Sequence, residues 1–357
     1  MKEIKDLVEI SKYAGERFDL VQAGGGNSSI KLQNGEMLIK ASGFSLSDVE
    51  KEHGFSRVST KKIASIVTDK QITNENKKRK RESIAAKLVQ KATIDKTYRP
   101  SIETLLHSFL DKYTLHTHPI AVNMILIQKN YEELLGSIFK NEDIAMVQYR
   151  TPGIELAIEL NKVLLASKTK PKIIFLQNHG LIVTSPNKKD IKVLTEKVLN
   201  KIEAYLKINL NNYKLTNNIS YLVNKLQKTS YVSLLSEDKY LNAQLNFNKK
   251  LFFQTPFCPD SLVFCGVSAI EIYHLLDKAQ LENFKEKYFE FPKVIIFDKK
   301  LFFVAQNIKK AKEMEEVLKF HIMVLEKSLV KNNNNFLPEE ELAYLNNWEA
   351  EKYRQKL

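Results

Sequence analysis

Cysteine is scarce in this chain. Only two of its 357 residues are cysteine, Cys258 and Cys265. Two thiols cannot build the disulfide framework of a small secreted domain, and their spacing matches no pattern typical of a zinc site. Both are expected to pack as small apolar side chains. The expected location is therefore a reducing cytoplasm.

Long apolar runs are also missing. No uninterrupted apolar stretch approaches the ~20 residues that a membrane-spanning helix needs, although 43% of the residues are hydrophobic. The first residues carry charges at Lys2, Glu3, Lys5 and Asp6, and they lack the apolar core of a secretory signal. The composition is that of a soluble globular protein, and no membrane partner is expected.

Acidic residues number 42 against 55 basic ones, so the formal net charge is +13. Such a balance is compatible with a nucleic-acid partner, an anionic substrate or a lysine-rich proteome. The densest basic run, residues 77–81, has no interleaved aromatic residues on which bases could stack. Lysine occurs on every segment, so background composition is the preferred explanation. Nucleic acid is not expected as a partner.

Two glycine-containing loops flank a predicted β-hairpin near the N-terminus. Gly24-Gly25-Gly26-Asn27 precedes an apolar run, Asn34-Gly35 is a strong hairpin signal, and Ala41-Ser42-Gly43 follows the second apolar run. Successive glycines allow backbone N–H groups to converge on an anion. The two loops are thus candidates for a phosphate cradle. Most such turns are only turns, however, and the Gly-Lys-Ser/Thr ending of a P-loop is missing.

Three histidines form the strongest candidate metal site. His116 and His118 lie two residues apart, so an extended segment would place both imidazoles on one face of a strand. His179 follows the apolar run 172–176, and a strand ending in a loop can bring it to the same place. Three imidazoles leave the fourth position of a zinc ion open, as in catalytic sites. A His-x-His pair alone is equally compatible with two unrelated polar residues.

Glu103 is the candidate acid/base. Pro100 and Ser101 favour a helix start, which would put Glu103 in the first turn, where the helix dipole stabilises a carboxylate. That is the purely structural interpretation. In the functional one, the helix start directs Glu103 towards the histidines of the following strand. His107, one turn further on, is interpreted as an ordinary helix-face residue.

Helices and strands alternate along the rest of the chain, which favours an α/β or α+β layered fold. We expect two domains, a catalytic one over residues 1–212 and a smaller one over 213–357. The strand–turn–strand–helix pattern of residues 171–210 recurs over residues 292–327. In the second copy lysines replace Asn178-His179-Gly180. The second domain is therefore expected to be a degenerate, metal-free repeat, although any such units look alike.

Two further expectations concern this second domain. Val263-Phe264-Cys265-Gly266 is expected to stand where the first copy has its His-x-His strand. The tail from Pro338 through Trp348 to Leu357 is expected to form an amphipathic helix.

Five motifs, in this order and spacing, resemble those of the class II aldolase/adducin family. They are Gly25-Gly26-Asn27-Ser28-Ser29, Ala41-Ser42-Gly43, Ser101-Ile102-Glu103, His116-Thr117-His118-Pro119 and Asn178-His179-Gly180-Leu181. Residues 99–107 and 347–352 look like the long subgroup, whose aldolase part is often fused to a short-chain dehydrogenase. The resemblance covers residues 5–210 well. No Gly-x-Gly pattern opens a βαβ unit beyond Leu210, so nothing resembles the dehydrogenase.

The resemblance implies a three-layer fold around a central antiparallel sheet, with a smaller C-terminal α/β domain. It implies Zn²⁺, or another divalent ion such as Mn²⁺ or Co²⁺, held by His116, His118 and His179. Glu103 would ligate the free metal and then act as acid/base. A small phosphorylated sugar and a homo-oligomer are the implied partners. The implied phosphate-binding residues are Gly26, Asn27, Ser42, Gly43 and Ser101.

Two departures from the family pattern matter. Ile102 stands where the family's aldolases often have a second serine, which puts the phosphate contacts in doubt. The family's proton-donating tyrosine has no motif by which it can be located. Tyr149, beside Thr151-Pro152-Gly153, is taken as the candidate.

The expected function is that of a metal-dependent aldolase or lyase that makes or breaks a C–C bond in a small phosphorylated ketose through an enediolate. The alternatives on the same scaffold are a sugar-phosphate epimerase, a decarboxylase or a dehydratase. Glu103 argues against the epimerases, which tend to carry Asp at that position. A non-catalytic, adducin-like interaction protein is the remaining alternative, but the adducin branch lacks the metal ligands.

Overall fold

A computed structural model describes residues 2–276, 278–328 and 334–347. The chain divides into two compact units, Met1–Leu210 and Asn211–Leu357. Among the residues described, no helix combines the length and the apolar character that crossing a bilayer requires. The predicted tail helix is present as Glu339–Asn347, and its expected continuation through Trp348 lies outside the described residues.

Seven strands form one sheet in the first unit. They are β1 (Asn27–Lys31), β2 (Glu36–Lys40), β3 (Phe55–Ser59), β4 (Tyr113–Thr117), β5 (Ile144–Val147), β6 (Ile173–Leu176) and β7 (Gly180–Ser185). Their order across the sheet is β3-β2-β1-β4-β7-β6-β5. All neighbouring pairs are antiparallel except the edge pair β5 and β6, which is parallel. The predicted Asn34-Gly35 hairpin joins β1 to β2, and Gly35 has the positive φ of 83° that its turn requires.

Helices cover both faces of this sheet. They are α1 (Lys2–Gly15), α2 (Thr60–Ala64), α3 (Lys70–Thr73), α4 (Lys78–Ala92), α5 (Thr104–Ser108), α6 (Ile120–Leu126), α7 (Tyr131–Ile138), α8 (Ile154–Ala166) and α9 (Lys188–Leu206). One core packs α1, α6, α7 and α9 on one face, and the other packs α2, α4, α5 and α8 on the opposite face. Side chains alternate between these cores along each strand, as with Leu38 and Ile39. The predicted three-layer fold around a central, mainly antiparallel sheet is confirmed.

The second unit is built on a smaller sheet. Its strands are β8 (Val232–Leu235), β9 (Ile270–Glu271), β10 (Val294–Phe297) and β11 (Lys300–Ala305), in the order β8-β11-β10-β9. Its helices are α10 (Asn211–Gln227), α11 (Lys239–Phe247), α12 (Pro259–Cys265), α13 (Ala279–Tyr288), α14 (Ile308–Ser328) and α15 (Glu339–Asn347).

The four strands of the second sheet have the same order as four of the seven strands of the first. From β8 to α14 the order of strands and α-helices is the same as from β4 to α9. The sheet order β8-β11-β10-β9 corresponds to β4-β7-β6-β5, and in both sheets only the last pair is parallel. The strand that takes the place of the His-x-His strand is therefore β8.

The expectation for Val263-Phe264-Cys265-Gly266 is wrong, because Val263–Cys265 is the end of helix α12. A short apolar run fits a strand and a buried helix equally well. Pro259 at the helix start and Gly266 with φ 79° just after its end are the local features that favour the helix.

Strand pairing defines which residues are equivalent in the two sheets. In the first sheet, Ile182 of β7 pairs with His116 on one side and with Ile174 on the other. In the second sheet, Phe302 of β11 pairs with Leu235 on one side and with Ile295 on the other. Leu235 thus occupies the place of His116, and Glu237 that of His118. The turn at Asp298 and Lys299 replaces Asn178 and His179. None of the three imidazoles has an imidazole counterpart in the second sheet.

Candidate metal centre

Four side chains converge at one end of the first sheet. The Nε2 atom of His116 lies 3.1 Å from that of His118 and 3.3 Å from that of His179. Glu103 Oε1 lies 3.4 Å from His116 Nε2 and 3.2 Å from His179 Nε2. The four ligand atoms all lie within 4.8 Å of one another. The sequence-predicted metal residues are therefore brought together.

Local backbone structure places the three histidines. His116 lies in β4, opposite Asn27 of β1 and Ile182 of β7. His118 follows the end of β4, and its N–H donates to the carbonyl of Leu20. His179 lies in the tight turn between β6 and β7, where Asn178 has a positive φ of 53°. Asparagine tolerates that conformation better than most residues, so the turn that presents His179 is encoded locally.

The residues fit a divalent ion. His116 Nδ1 lies 3.0 Å from the carbonyl of Leu181 and donates to it, which leaves Nε2 as a lone-pair donor and is the usual arrangement for a metal-binding histidine. Two ligands about 2.0–2.1 Å from a tetrahedral zinc ion lie roughly 3.3–3.4 Å apart, close to the separations between these Nε2 atoms. His116 is buried while His118 and His179 are half-buried, so the cluster is open on one side.

The protonation of the cluster follows from its burial. Burial, together with the neighbouring His116 and His179, lowers the pKa of His118 to about 3, so this imidazole is neutral, as a ligand must be. Burial raises the pKa of Glu103, but His116 and His179 outweigh burial and hold that pKa well below its usual range. Burial lowers the pKa of His116, and the Glu103 carboxylate more than reverses this. The ionised form of Glu103 is thus favoured by the imidazoles beside it.

Glu103 does not lie in the first turn of a helix, contrary to the expectation. Helix α5 begins at Thr104, and Glu103 is its N-cap residue without a capping side-chain hydrogen bond. Ser101 organises this start, since its Oγ accepts the N–H of Glu103 and its carbonyl accepts that of Thr104. The Glu103 carboxylate is consequently free to face the histidines, which favours the functional interpretation.

The loops proposed for phosphate binding meet at the same end of the sheet. Lys40 Nζ donates to the carbonyl of Phe44 at 2.6 Å and to that of Gly24 at 3.3 Å, so it links the first two loops. The N–H of Ser42 donates to the carbonyl of Arg99, which joins the second loop to the segment that carries Ser101. Gly26 and Gly43 have positive φ values of 73° and 88°, so both turns depend on glycine.

Lys40 is a site residue that the sequence interpretation missed. It is 3% exposed, and burial lowers its pKa although Glu103 and Asp48 act in the opposite direction. The only signal in the sequence is a lysine at the end of a predicted strand, directly before Ala41-Ser42-Gly43. That signal is weak because a strand-end lysine normally points into solvent.

Asn27 lies in the centre of this region. Its side chain is fully buried, it stands opposite His116 in the sheet, and neither Oδ1 nor Nδ2 has a hydrogen-bond partner among the described residues. Buried amides are normally hydrogen-bonded. The donor and acceptor of this amide are therefore not used by other described residues, and Asn27 is a candidate to contact a bound ligand.

Tyr149 is not joined to the cluster. Its side chain is 50% exposed, and its hydroxyl makes no hydrogen bond to any described residue. Its backbone N–H donates to the side chain of Gln177, two residues before His179. Its role as a proton donor remains a prediction. His107 lies in helix α5, as expected, and its fully buried ring has Nδ1 at 2.7 Å from Ser29 Oγ.

Comparison with known proteins identifies a family. Residues 5–206 match the model of the Class II Aldolase and Adducin N-terminal domain, which is more than half of the chain. A curated relative from Bacillus subtilis (strain 168), named "Uncharacterized oxidoreductase YuxG", is 26% identical over 223 residues. That match covers 60% of this chain and 31% of the relative, so it spans about a third of the relative's length.

Some solved structures are also similar to part of this chain. The N-terminal class II aldolase domain of a conserved protein from Thermoplasma acidophilum is 24% identical, with a TM-score of 0.48, over 57% of this chain and 93% of that chain. A sugar-phosphate aldolase from Thermotoga maritima is 14% identical, with a TM-score of 0.41, over 58% and 94% of the respective chains.

Proposed function

This chain belongs to the class II aldolase and adducin family, and we propose that it is a metal-dependent carbon–carbon lyase that acts on a small phosphorylated ketose. One observation carries the proposal. A buried carboxylate and three imidazoles converge at the end of the sheet where an unpaired buried amide and three loops also meet. Such a site can hold a divalent ion and an anionic substrate at the same time.

His116, His118 and His179 would hold the metal, with Glu103 as a fourth ligand in the absence of substrate. When bound, a divalent ion supplies Lewis-acid stabilisation of the negative charge that develops on carbonyl and hydroxyl oxygens, worth several kcal/mol. Zn²⁺ is the preferred ion because the donor set is dominated by imidazole nitrogen. Mn²⁺ and Co²⁺ are the alternatives.

Glu103 would move the proton. It is 8% exposed, and its neighbours keep it ionised, so it can accept a proton from a substrate hydroxyl or carbon. It lies at a helix start that Ser101 fixes, which restricts its orientation. The reaction also requires a group that donates a proton, and Tyr149 remains the candidate for this role.

The phosphate would be bound by the three loops. Backbone N–H groups near Gly26 and Gly43, the side chains of Ser42 and Ser101, and the amide of Asn27 supply donors. Lys40 adds a buried positive charge between the first two loops. Anchoring the far end of the substrate would orient its carbonyl towards the metal centre, a contribution of proximity to the rate.

The experiment combines metal analysis of the purified protein with a screen of phosphorylated ketoses for retro-aldol cleavage. We expect about one divalent ion per chain and release of a triose-phosphate-type ketone together with an aldehyde. A protein that holds the ion but releases carbon dioxide, eliminates water or only inverts a stereocentre would assign the decarboxylase, dehydratase or epimerase alternative. A protein without bound metal or any turnover would support an adducin-like binding role.

A further inference from the structure

Gly25 lies directly against the imidazole of His118. A Cβ atom on Gly25 would be 2.8 Å from His118 Nδ1 and 3.0 Å from the carbonyl oxygen of Gln22. Side-chain carbon atoms do not approach other heavy atoms this closely, so a methyl group at this position would force His118 to move.

The ring of His118 has little freedom to move without losing its orientation. The backbone carrying the ring is fixed, because the backbone N–H of His118 donates to the carbonyl of Leu20 at 2.9 Å. The other edge of the ring lies against Gly180, where a Cβ would be 3.1 Å from His118 Cδ2. His118 Nε2 points to His116 Nε2. Since Nδ1 and Nε2 belong to one rigid ring, a displacement at Nδ1 also displaces Nε2.

Gly25 is at the same time part of the first phosphate-binding loop. Its N–H donates to the carbonyl of Gln22, and the carbonyl of the preceding Gly24 accepts from Lys40. Two residues further on, the chain enters β1 at Asn27. The backbone that would bind an anion and the ring that would bind a metal are thus in van der Waals contact.

We infer that Gly25 is a positioning residue that couples the phosphate-binding loop to the metal ligand His118. The inference rests on the proposed metal site. The absence of a side chain at Gly25 lets His118 present Nε2 to the metal, and the conformation of the loop sets the orientation of the ring.

Gly24 provides a matched control. A Cβ on Gly24 would meet no atom closer than Phe44 O, at 4.0 Å. Neither Gly24 nor Gly25 has a positive φ, so alanine is compatible with the backbone at both positions. Gly24→Ala and Gly25→Ala therefore alter adjacent residues of one loop, and only the second introduces a contact with His118.

The test is the affinity of the purified full-length protein for Co²⁺, measured by competition with a chromogenic chelator in the absence of substrate. Changes around metal-binding histidines typically weaken metal affinity by about 10–100-fold. We expect at least a tenfold loss in Gly25→Ala and a change of less than about twofold in Gly24→Ala. Wild-type affinity in Gly25→Ala, or equal losses in both variants, would overturn the inference.

A second measurement uses the metal-free protein. Gly25→Ala should lower the melting temperature of the wild-type background more than that of His118→Ala, because the clash with the ring is then gone and only the 3.0 Å contact with the Gln22 carbonyl oxygen remains. If Gly25→Ala does not fold, the double variant should still fold. An equal decrease in both backgrounds, or an unfolded double variant, would show that His118 is not the residue affected.

The outcomes also separate this inference from the proposed function. A wild-type protein that binds no Co²⁺ would overturn the metal site and the inference together. Binding by the wild type with an unaffected Gly25→Ala would overturn the inference alone.

Discussion

At the scale of single residues, Glu103 has two possible roles, stabilisation of a helix start and acid/base catalysis. The two roles predict effects of very different size when the carboxylate is removed. A carboxylate at a helix start contributes about 0.3–1 kcal/mol to stability through the helix dipole. A general acid/base contributes roughly 10²–10⁴-fold to the rate. Glu103 makes no capping hydrogen bond, and its Oε1 faces His116 and His179. The geometry therefore favours the larger, catalytic effect.

Glu103→Gln keeps the shape of the side chain but cannot accept the proton. We expect turnover to fall by at least about a hundredfold, with little change in the melting temperature of the metal-free protein. The measurement is steady-state cleavage of a ketose phosphate that the wild type accepts. Glu133→Gln, in the first turn of α7 and exposed, is the matched control and should retain activity. Near-normal turnover in Glu103→Gln would direct the search for the base to Tyr149.

Lys40→Met tests the link between the first two phosphate loops. Hydrogen bonds to a charged group are worth about 1.5–3 kcal/mol, so we expect phosphate to bind roughly 10–100-fold more weakly while one metal ion is retained. Isothermal titration with inorganic phosphate measures the loss. Lys31→Met is the control, because Lys31 is also a largely buried lysine that donates to two backbone carbonyls, those of Ser108 and Leu110. Equal losses in both variants would contradict a specific role for Lys40.

At the scale of secondary-structure elements, a buried histidine lies between two packed helices of the second unit. In the second unit, α14 contacts α12 through His321, whose Nδ1 lies 3.2 Å from Ser261 Oγ. The His321 ring also stacks on Phe257, with centroids 5.2 Å apart. Burial lowers the pKa of His321 to about 4, so protonation opposes the packing of these two helices.

The pH dependence of stability follows from this lowered pKa. An unfolded chain takes up the proton of His321 near pH 6.5, whereas the folded second unit does so only near pH 4. Between these values the unfolded state binds more protons, so stability is present above pH 6.5 and is lost as the pH falls. The contribution is at most about 1.4 kcal/mol per pH unit.

His321→Phe removes this group and keeps an aromatic ring against Phe257. We expect the free energy of unfolding of the metal-free protein to fall less steeply between pH 6.5 and 4.5 than in the wild type. Urea unfolding at several pH values measures the slope. An unchanged slope would mean that His321 titrates normally in the folded protein.

At the largest scale, the chain contains two sheets that share the order and direction of four strands, and only the first carries imidazoles. The family match covers residues 5–206, which corresponds to the first unit. The second unit repeats the order and direction of four strands, yet Leu235, Glu237 and Lys299 stand at the positions of the three histidines. We propose that this unit is a metal-free repeat.

The number of metal ions bound per chain tests the proposal that only the first unit binds metal. We expect about one divalent ion per chain in the wild type, even after incubation with excess Zn²⁺ and gel filtration. The double variant His116→Ala/His118→Ala should retain none, because the described residues of the second unit contain no cluster of metal ligands that could replace the site. His274→Ala, a change at an exposed histidine of the second unit, should retain one. Elemental analysis gives the ratio, and two ions per chain or a stoichiometric ion in the double variant would contradict the assignment.

The local features of this protein can be predicted from short stretches of its amino-acid sequence. The Asn34-Gly35 hairpin, the strand that carries His116 and the turn that presents His179 follow from turn chemistry and from the two-residue period of a strand. The three-layer fold and the candidate ligands could be predicted because the motifs occur in a familiar order. These signals depend on residues that are close in sequence, so they can be recognised without knowledge of the rest of the fold.

The way in which distant segments meet could not be predicted from the sequence and is known from the folded structure. The register of β1 against β4 places Asn27 opposite His116, and the bend of the chain brings the carbonyls of Gly24 and Phe44 to Lys40. The same holds for β8, which takes the place of the His-x-His strand although Val263–Cys265 has the apolar composition of one. Strand register and helix–strand choice in short apolar runs depend on which partner surface buries them, and that information is spread over the whole chain.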